Sequence, residues 1–337
     1  MHRWPRPPPR AHTPAKGVGM HVDAVIRQNE YFLRRRDLLA AGFSDTHLRA
    51  ALAARRIFRV RHGWYSVPDA PEAGVKAVRV GGRLAGLSAL ETFGIPVPRR
   101  DRLEVAVRPT ASRLRSPDDR RARLSASART HVHWTDGGGT GLSWRVSLAD
   151  ALLAVLVTEG RDVAVASLSA ALHHRLVTPA QLDEVFARAP SRVGPWRALV
   201  SGLDESHGET FYRLWTADVS MPCEQQVVIP GIGRFDFRVG PHTYVEIDGA
   251  QHDPDWTGDS PSSWNDDLER ATAMTIRGDR VLHFGYRQLY GDWAAVLAAV
   301  SRAIADDEAL SARRRRHPYR PRAPQKRRRS AAKRPFR

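Results

Sequence analysis

Residues 235–252 have the sequence FDFRVGPHTYVEIDGAQH, in which acidic residues alternate with apolar ones. Successive side chains of a β-strand point to opposite faces of the sheet, so Glu246 and Asp248 share one face while their apolar neighbours share the other. Asp236 stands between two phenylalanines in the same way. Two adjacent antiparallel strands are therefore expected to gather three carboxylates on one small patch.

This acidic patch is predicted to be a metal site. Like charges so close together are costly unless protons or a cation neutralise them. Clusters of oxygen ligands suit Mg²⁺ or Mn²⁺. The expected ligands are Asp236, Glu246 and Asp248.

The composition is that of a globular protein with two or three domains. The chain has 337 residues, of which 42% are hydrophobic and 26% charged, both ordinary values. No apolar run approaches the roughly 20 residues that span a bilayer, and no apolar segment near the start indicates a secretory signal. Cys223 is the single cysteine, which excludes internal disulfides and cysteine-based zinc sites. We expect a cytoplasmic location and no membrane partner.

The net charge of +17 lies in the two ends of the chain. Residues 312–337 carry 13 positive charges, residues 1–19 carry four, and neither segment contains an acid. Both segments are predicted to be disordered. The C-terminal tail either contacts nucleic-acid phosphates without sequence preference or is simply solvated. Met20 opens the first amphipathic pattern, and residues 1–19 are expected to be disordered whether or not they are translated.

Residues 20–68 are predicted to form a winged helix-turn-helix. The pattern indicates helices over 22–29 and 35–41, a third helix that Ser44 caps, and a hairpin over 57–67. In such folds the third helix enters the major groove of DNA and the wing contacts the backbone. The alternative is the solvated face of a protein-binding domain. The candidate DNA contacts are His47, Arg49, Arg55, Arg56, Arg59 and Arg61.

Two motifs in this segment carry a resemblance to a known family. Residues 38–44 (LLAAGFS) and 59–65 (RVRHGWY) resemble the N-terminal domain of AbiEi-type antitoxins of type IV toxin–antitoxin systems. The resemblance implies DNA binding. It also raises the expectation of a toxin partner, which the sequence does not identify.

Residues 75–200 are predicted to be a mixed α/β scaffold. Strands are expected over 103–107 and 131–134, and helices over 148–157, 163–171 and 179–189. His131 and His133 alternate onto one face of their strand, which permits metal ligation. Without carboxylates near them in the sequence, they are expected to be exposed strand residues.

Residues 203–305 are predicted to follow the order α-β-β-β-α-β-α, which makes the whole chain an α/β (α+β) protein. This order resembles the restriction-endonuclease-like PD-(D/E)XK superfamily, and within it the Vsr-like group called domain of unknown function 559. The resemblance is carried by Glu209, Asp236, the sequence EIDG at 246–249, His252, the pair Asp267 and Arg270, and the strand over 280–284.

The resemblance implies a role for each of these residues. Asp236 would be the central metal ligand and Glu246 the second acid. Asp248 stands where the superfamily usually has lysine, which leaves His252 as base or leaving-group acid. Arg270 would either contact the scissile phosphate or pair with Asp267, three residues before it on one helical face. Two alternatives are that His252 is a loop residue without a role and that Glu209 is a surface glutamate.

The function expected from these features is that of a Mg²⁺- or Mn²⁺-dependent DNA endonuclease, in repair or defence, with DNA bound by the N-terminal domain. The alternative is a DNA-binding regulator or antitoxin whose nuclease-like domain is inert. An RNA-directed nuclease is a third hypothesis. The first two differ in whether the acidic cluster is needed.

Overall fold

The computed structural model describes residues 21–98, 101–125, 129–135, 141–248 and 261–316, without the side chains of 261–267, 310 and 313–316. The chain divides into two compact units, Met1–Trp215 and Thr216–Arg337. Three small sheets and their helices make it a mixed α/β protein. None of the helices in the described ranges is both long and apolar enough to cross a bilayer.

The first unit begins with three helices and a small antiparallel sheet. Ser44 caps α3: its hydroxyl accepts a hydrogen bond from the backbone N–H of His47, and its own N–H donates to the ring of His47. Gly63 makes the β2–β3 turn at a positive φ of 74°, a conformation that costs glycine little. Phe32 and Val60 are fully buried in the sheet. The elements are α1 (Val22–Gln28), β1 (Phe32–Arg34), α2 (Arg35–Ala40), α3 (Asp45–Ala53), β2 (Phe58–Arg61) and β3 (Trp64–Ser66), with strand order β1-β3-β2.

The rest of the first unit shares a hydrophobic core with this sheet. Phe32 and Val60 belong to the same cluster of buried side chains as Leu84, Val105 and Leu152. The segments predicted as separate domains over 20–68 and 75–200 are therefore parts of one unit. The further elements are α4 (Glu72–Val80), β4 (Arg83–Leu84), α5 (Gly86–Glu91), β5 (Leu103–Val107), β6 (Thr130–Trp134), α6 (Leu148–Thr158), α7 (Arg161–His173), α8 (Pro179–Arg188), a 3-10 helix (Ser191–Leu199) and α9 (His207–Asp218), with strand order β4-β5-β6.

The second unit is built on a four-stranded sheet of order β10-β9-β8-β7. β7, β8 and β9 are antiparallel neighbours, whereas β10 returns through a helix to run parallel to β9. The predicted elements follow in order from the first strand on, with one additional short helix after the last strand, whereas the first predicted helix, α9, lies mostly in the first unit. The elements are β7 (Glu224–Ile229), β8 (Gly233–Arg238), β9 (Thr243–Asp248), α10 (Pro261–Arg277), β10 (Arg280–Gly285), α11 (Tyr286–Gly291) and α12 (Trp293–Arg316).

The last helix corrects one prediction about the basic tail. The tail was expected to be disordered from residue 312, but α12 continues to Arg316. Alanine and arginine are good helix formers, so the helix continues into the arginine run. The predicted disordered segments 1–19 and 317–337 lie outside the described residues.

His207, at the start of α9, makes the stability of the protein depend on pH. Burial lowers the pKa of its ring to about 4, from an ordinary value of 6.5. As the pH falls below 6.5, the unfolded chain takes up a proton that the folded chain does not, so stability is lost down to about pH 4. The full effect is about 3 kcal/mol.

We expect replacement of His207 by Phe to remove this part of the pH dependence. The ring stacks on Phe211, with centroids 6.3 Å apart, and phenylalanine keeps that contact without titrating. Chemical denaturation of both proteins at pH 7 and pH 4.5 measures the difference. An equal loss of stability in the two proteins would refute this assignment.

Candidate active site

Asp236 joins β8 to β9 through its side chain. The backbone pairing of these strands ends at Phe237 and Val245. Asp236 is the residue before Phe237 in β8, and its carboxylate accepts a hydrogen bond from the backbone N–H of Ile247 at 2.8 Å. Phe237 and Val245 are fully buried, so the alternation read from the sequence sets Asp236 on the face opposite to the core.

Glu246 and Asp248 meet a histidine from the neighbouring strand. His283 of β10 lies opposite Glu246 in the parallel pairing. Its Nδ1 is 3.6 Å from a carboxylate oxygen of Glu246 and 3.7 Å from one of Asp248. The two carboxylates therefore lie on the same face of the sheet, as predicted. His283 was not among the predicted site residues.

Arg270 of α10 forms an ion pair with Glu246 of this group. Its guanidinium donates hydrogen bonds to the carboxylate of Glu246 and to the backbone carbonyl of Arg234. It also lies over the ring of Phe235, 4.9 Å from the centroid. The two roles predicted for Arg270 did not include this ion pair with Glu246. The side chain of Asp267 lies outside the described residues.

The electrostatics of the group leave Glu246 poorly stabilised as an anion. Burial raises the pKa of Glu246 above its ordinary value, and the charge of Asp236 adds to this effect. Arg270 and His283 act in the opposite direction without cancelling it. This is the situation that a bound cation relieves.

The donor atoms suit a hard divalent ion, but they do not enclose one. Carboxylate oxygens from three residues and an imidazole nitrogen are ligands that Mg²⁺ or Mn²⁺ accepts. In the part of the chain that the structure describes, no group of three or more His, Cys, Asp or Glu side chains is arranged to hold a metal ion. His252, the predicted acid or base, lies in 249–260, outside the described residues.

Glu209, the remaining acid of the predicted site, is buried in the first unit. Its side chain is 4% exposed. The carboxylate accepts a hydrogen bond from the backbone N–H of Glu205 at 3.0 Å, which satisfies a donor ahead of α9. The alternative of a surface glutamate is therefore wrong.

Two of the predicted DNA contacts line one depression beside the wing. Arg55, which follows α3, and Arg59 on β2 border a cavity of about 630 Å³. Arg120 borders it too and donates a hydrogen bond to the backbone carbonyl of Arg59 at 2.7 Å. Arg59 also donates to the hydroxyl of Tyr65 at 3.3 Å. The depression is therefore basic, and hydrogen bonds hold Arg59 and Arg120 at its border.

The other predicted DNA contacts have different surroundings. His47 and Arg49 are exposed on α3, where His47 takes part in the cap and Arg49 donates to the carbonyl of Asp45. Arg56 contacts His21 at 2.9 Å. Arg61 lies against Gly81, and a bulge between Arg59 and Arg61 shifts the pairing of β2 with β3. The two wing arginines, Arg59 and Arg61, therefore have different neighbours.

His131 and His133 are not the exposed strand residues that were predicted. Their strand β6 runs parallel to β5, whose Glu104 is fully buried. Nε2 of His133 lies 3.1 Å from the carboxylate of Glu104, and the two histidine rings are 4.6 Å apart. Burial lowers the pKa of His131, and the neighbouring His133 adds to that effect. The carboxylate partner comes from 29 residues away in the chain, beyond the reach of a local pattern.

No family model and no curated protein matches the chain, so the two resemblances drawn from its motifs remain predictions.

Proposed function

We propose that the chain is a divalent-metal-dependent endonuclease that hydrolyses phosphodiester bonds of DNA. One observation carries the proposal: Asp236, Glu246, Asp248 and His283 come from three adjacent strands to one side of the second unit's sheet. Carboxylates and a titratable imidazole are the groups that metal-assisted hydrolysis uses.

Asp236, Glu246 and Asp248 are the residues that would hold the ion. When bound, a divalent cation lowers the pKa of a water molecule and stabilises charge on the phosphate. Oδ2 of Asp236 already accepts a backbone hydrogen bond, which fixes the orientation of the carboxylate. Burial raises the pKa of Glu246, and a bound cation would stabilise its ionised form.

His283 is the candidate for proton transfer. Its ring is 40% exposed and borders two of the three acids, so it can reach both solvent and the reacting group. Replacement of His283 by Gln is expected to slow cleavage about 100-fold. DNA affinity, measured by fluorescence anisotropy in EDTA, should change by less than about twofold, because glutamine has the same charge as a neutral histidine side chain. Unchanged cleavage by this variant would remove His283 from the mechanism.

DNA would be held by the basic surfaces of the chain. The acidic face repels phosphates, so binding must come from elsewhere. The depression bordered by Arg55, Arg59 and Arg120 is one such surface, and the arginine-rich tail is another. Such binding weakens steeply with salt.

The proposal is tested by incubating the purified full chain with supercoiled plasmid in Mg²⁺, Mn²⁺ or EDTA. Nicking or linearisation in either metal and none in EDTA is expected. A parallel reaction with a structured RNA separates a DNA nuclease from the RNA-directed alternative. Failure to cleave any nucleic acid with either metal would overturn the proposal.

One observation favours a second candidate, a DNA-binding regulator with an inert nuclease-like unit. The guanidinium of Arg270 forms an ion pair with Glu246, as a permanent cation does where no metal is needed. This candidate predicts sequence-dependent DNA binding that Asp236→Asn leaves intact, with no cleavage by the unmodified chain.

A further inference from the structure

Four arginines border a cleft between the two sheets of the first unit. Arg34 ends β1, Arg36 lies in α2, Arg83 begins β4 and Arg108 follows β5. The cleft has a volume of about 670 Å³, which is within the range of roughly 300–1,000 Å³ that is typical of small-molecule sites. It shares no lining residue with the depression beside the wing.

The positive charge of this cleft is only partly neutralised. Within the described ranges, Arg34 and Arg108 neither donate a side-chain hydrogen bond nor form an ion pair with a carboxylate. Arg36 pairs with Asp37 at 3.4 Å, and Asp37 is the acid that borders the cleft among the residues the structure describes. Arg34 and Arg108 are therefore the two cleft arginines that have no ion-pair partner among the described residues.

The arginines are also held in a strained electrostatic arrangement. Burial lowers the pKa of both Arg34 and Arg83 below the ordinary arginine value, and Arg108 adds repulsion in each case. Asp150 opposes this effect at Arg83. The guanidinium of Arg34 lies over the ring of Trp64, 4.8 Å from its centroid, which holds it in place. Half-buried cations that repel one another are stabilised by a bound anion.

We propose that this cleft binds the phosphate groups of a nucleotide, supplied either free in solution or by a nucleic-acid strand. Arginine forks match phosphate oxygens in pairs, and several forks around one concave site suit a ligand with more than one phosphate group. The aromatic ring of Trp64 in the wall adds an apolar surface beside the charges.

The test is a calorimetric titration of the full chain, in EDTA, with ATP and separately with a single-stranded oligonucleotide of about 8 nucleotides. Arg108→Glu removes an exposed guanidinium, and Arg34→Gln removes the half-buried one. Arg175→Glu is the matched control, because Arg175 is an exposed arginine of the same unit that does not border the cleft. The basic tail contributes equally to all of these proteins.

We expect at least one probe to bind, with its affinity reduced about tenfold or more by Arg108→Glu and by Arg34→Gln, and by less than about twofold by Arg175→Glu. Binding of ATP alone identifies a free nucleotide as the source of phosphate, and binding of the oligonucleotide alone identifies a strand. The proposal is overturned if neither probe binds, or if Arg108→Glu and Arg175→Glu have the same effect. Since no metal is present, the outcome does not depend on nuclease activity.

Discussion

Replacement of Asp236 by Asn is expected to abolish metal-dependent cleavage, with a loss of at least about 1,000-fold, while DNA binding is retained. The carboxylate is one of the three proposed metal ligands, and its charge acts on Glu246. Asparagine keeps an oxygen that can accept the hydrogen bond from Ile247. The variant therefore removes charge without removing the contact between β8 and β9.

The matched control for this variant is Glu224→Gln. Glu224 lies on β7 of the same sheet and is exposed, 3.6 Å from Arg238. Loss of that carboxylate should leave the cleavage rate within about twofold of that of the unmodified chain, because exposed ion pairs contribute little to stability. Rates are measured as single-turnover nicking of plasmid, and affinity by anisotropy in EDTA. Cleavage by Asp236→Asn at the rate of the unmodified chain would exclude this face of the sheet as the active site.

Replacement of Asp204 by Ala is expected to destabilise the first unit by about 3–5 kcal/mol. Asp204 is 1% exposed and accepts two hydrogen bonds from the guanidinium of Arg213, at 3.0 and 2.6 Å. It also accepts one from the hydroxyl of Thr210 at 3.0 Å. Alanine would leave the largely buried Arg213 without its carboxylate, and the cost of an uncompensated buried charge is large.

Asp183→Ala provides the comparison for Asp204. Asp183 is paired with Arg197 at 2.6 Å in the same unit, but its side chain is 63% exposed. Its loss should cost less than about 1 kcal/mol, since water screens the pair. Urea denaturation followed by circular dichroism measures both. Equal effects of the two substitutions would show that Asp204 does not anchor α9 as the contacts indicate.

Local patterns in the sequence determined most of the regular elements. The strand Leu103–Val107 has the predicted bounds, because alternation and flanking turn residues are properties of neighbouring positions. Ser44 caps its helix as predicted, since a cap needs only a hydroxyl and the N–H groups of the next turn. The same alternation put Glu246 and Asp248 on one face of the sheet.

Only the tertiary structure decided which distant residues meet. The parallel pairing of β9 with β10 brings His283 to Glu246, and the pairing of β5 with β6 brings Glu104 to the two histidines of the first unit. Short strands such as β1 and β4 contribute Phe32 and Leu84 to one buried cluster, whose other members come from distant segments. Strand register, burial and the ion pair of Arg270 depend on contacts between segments far apart in the chain, and no periodicity within one segment contains that information.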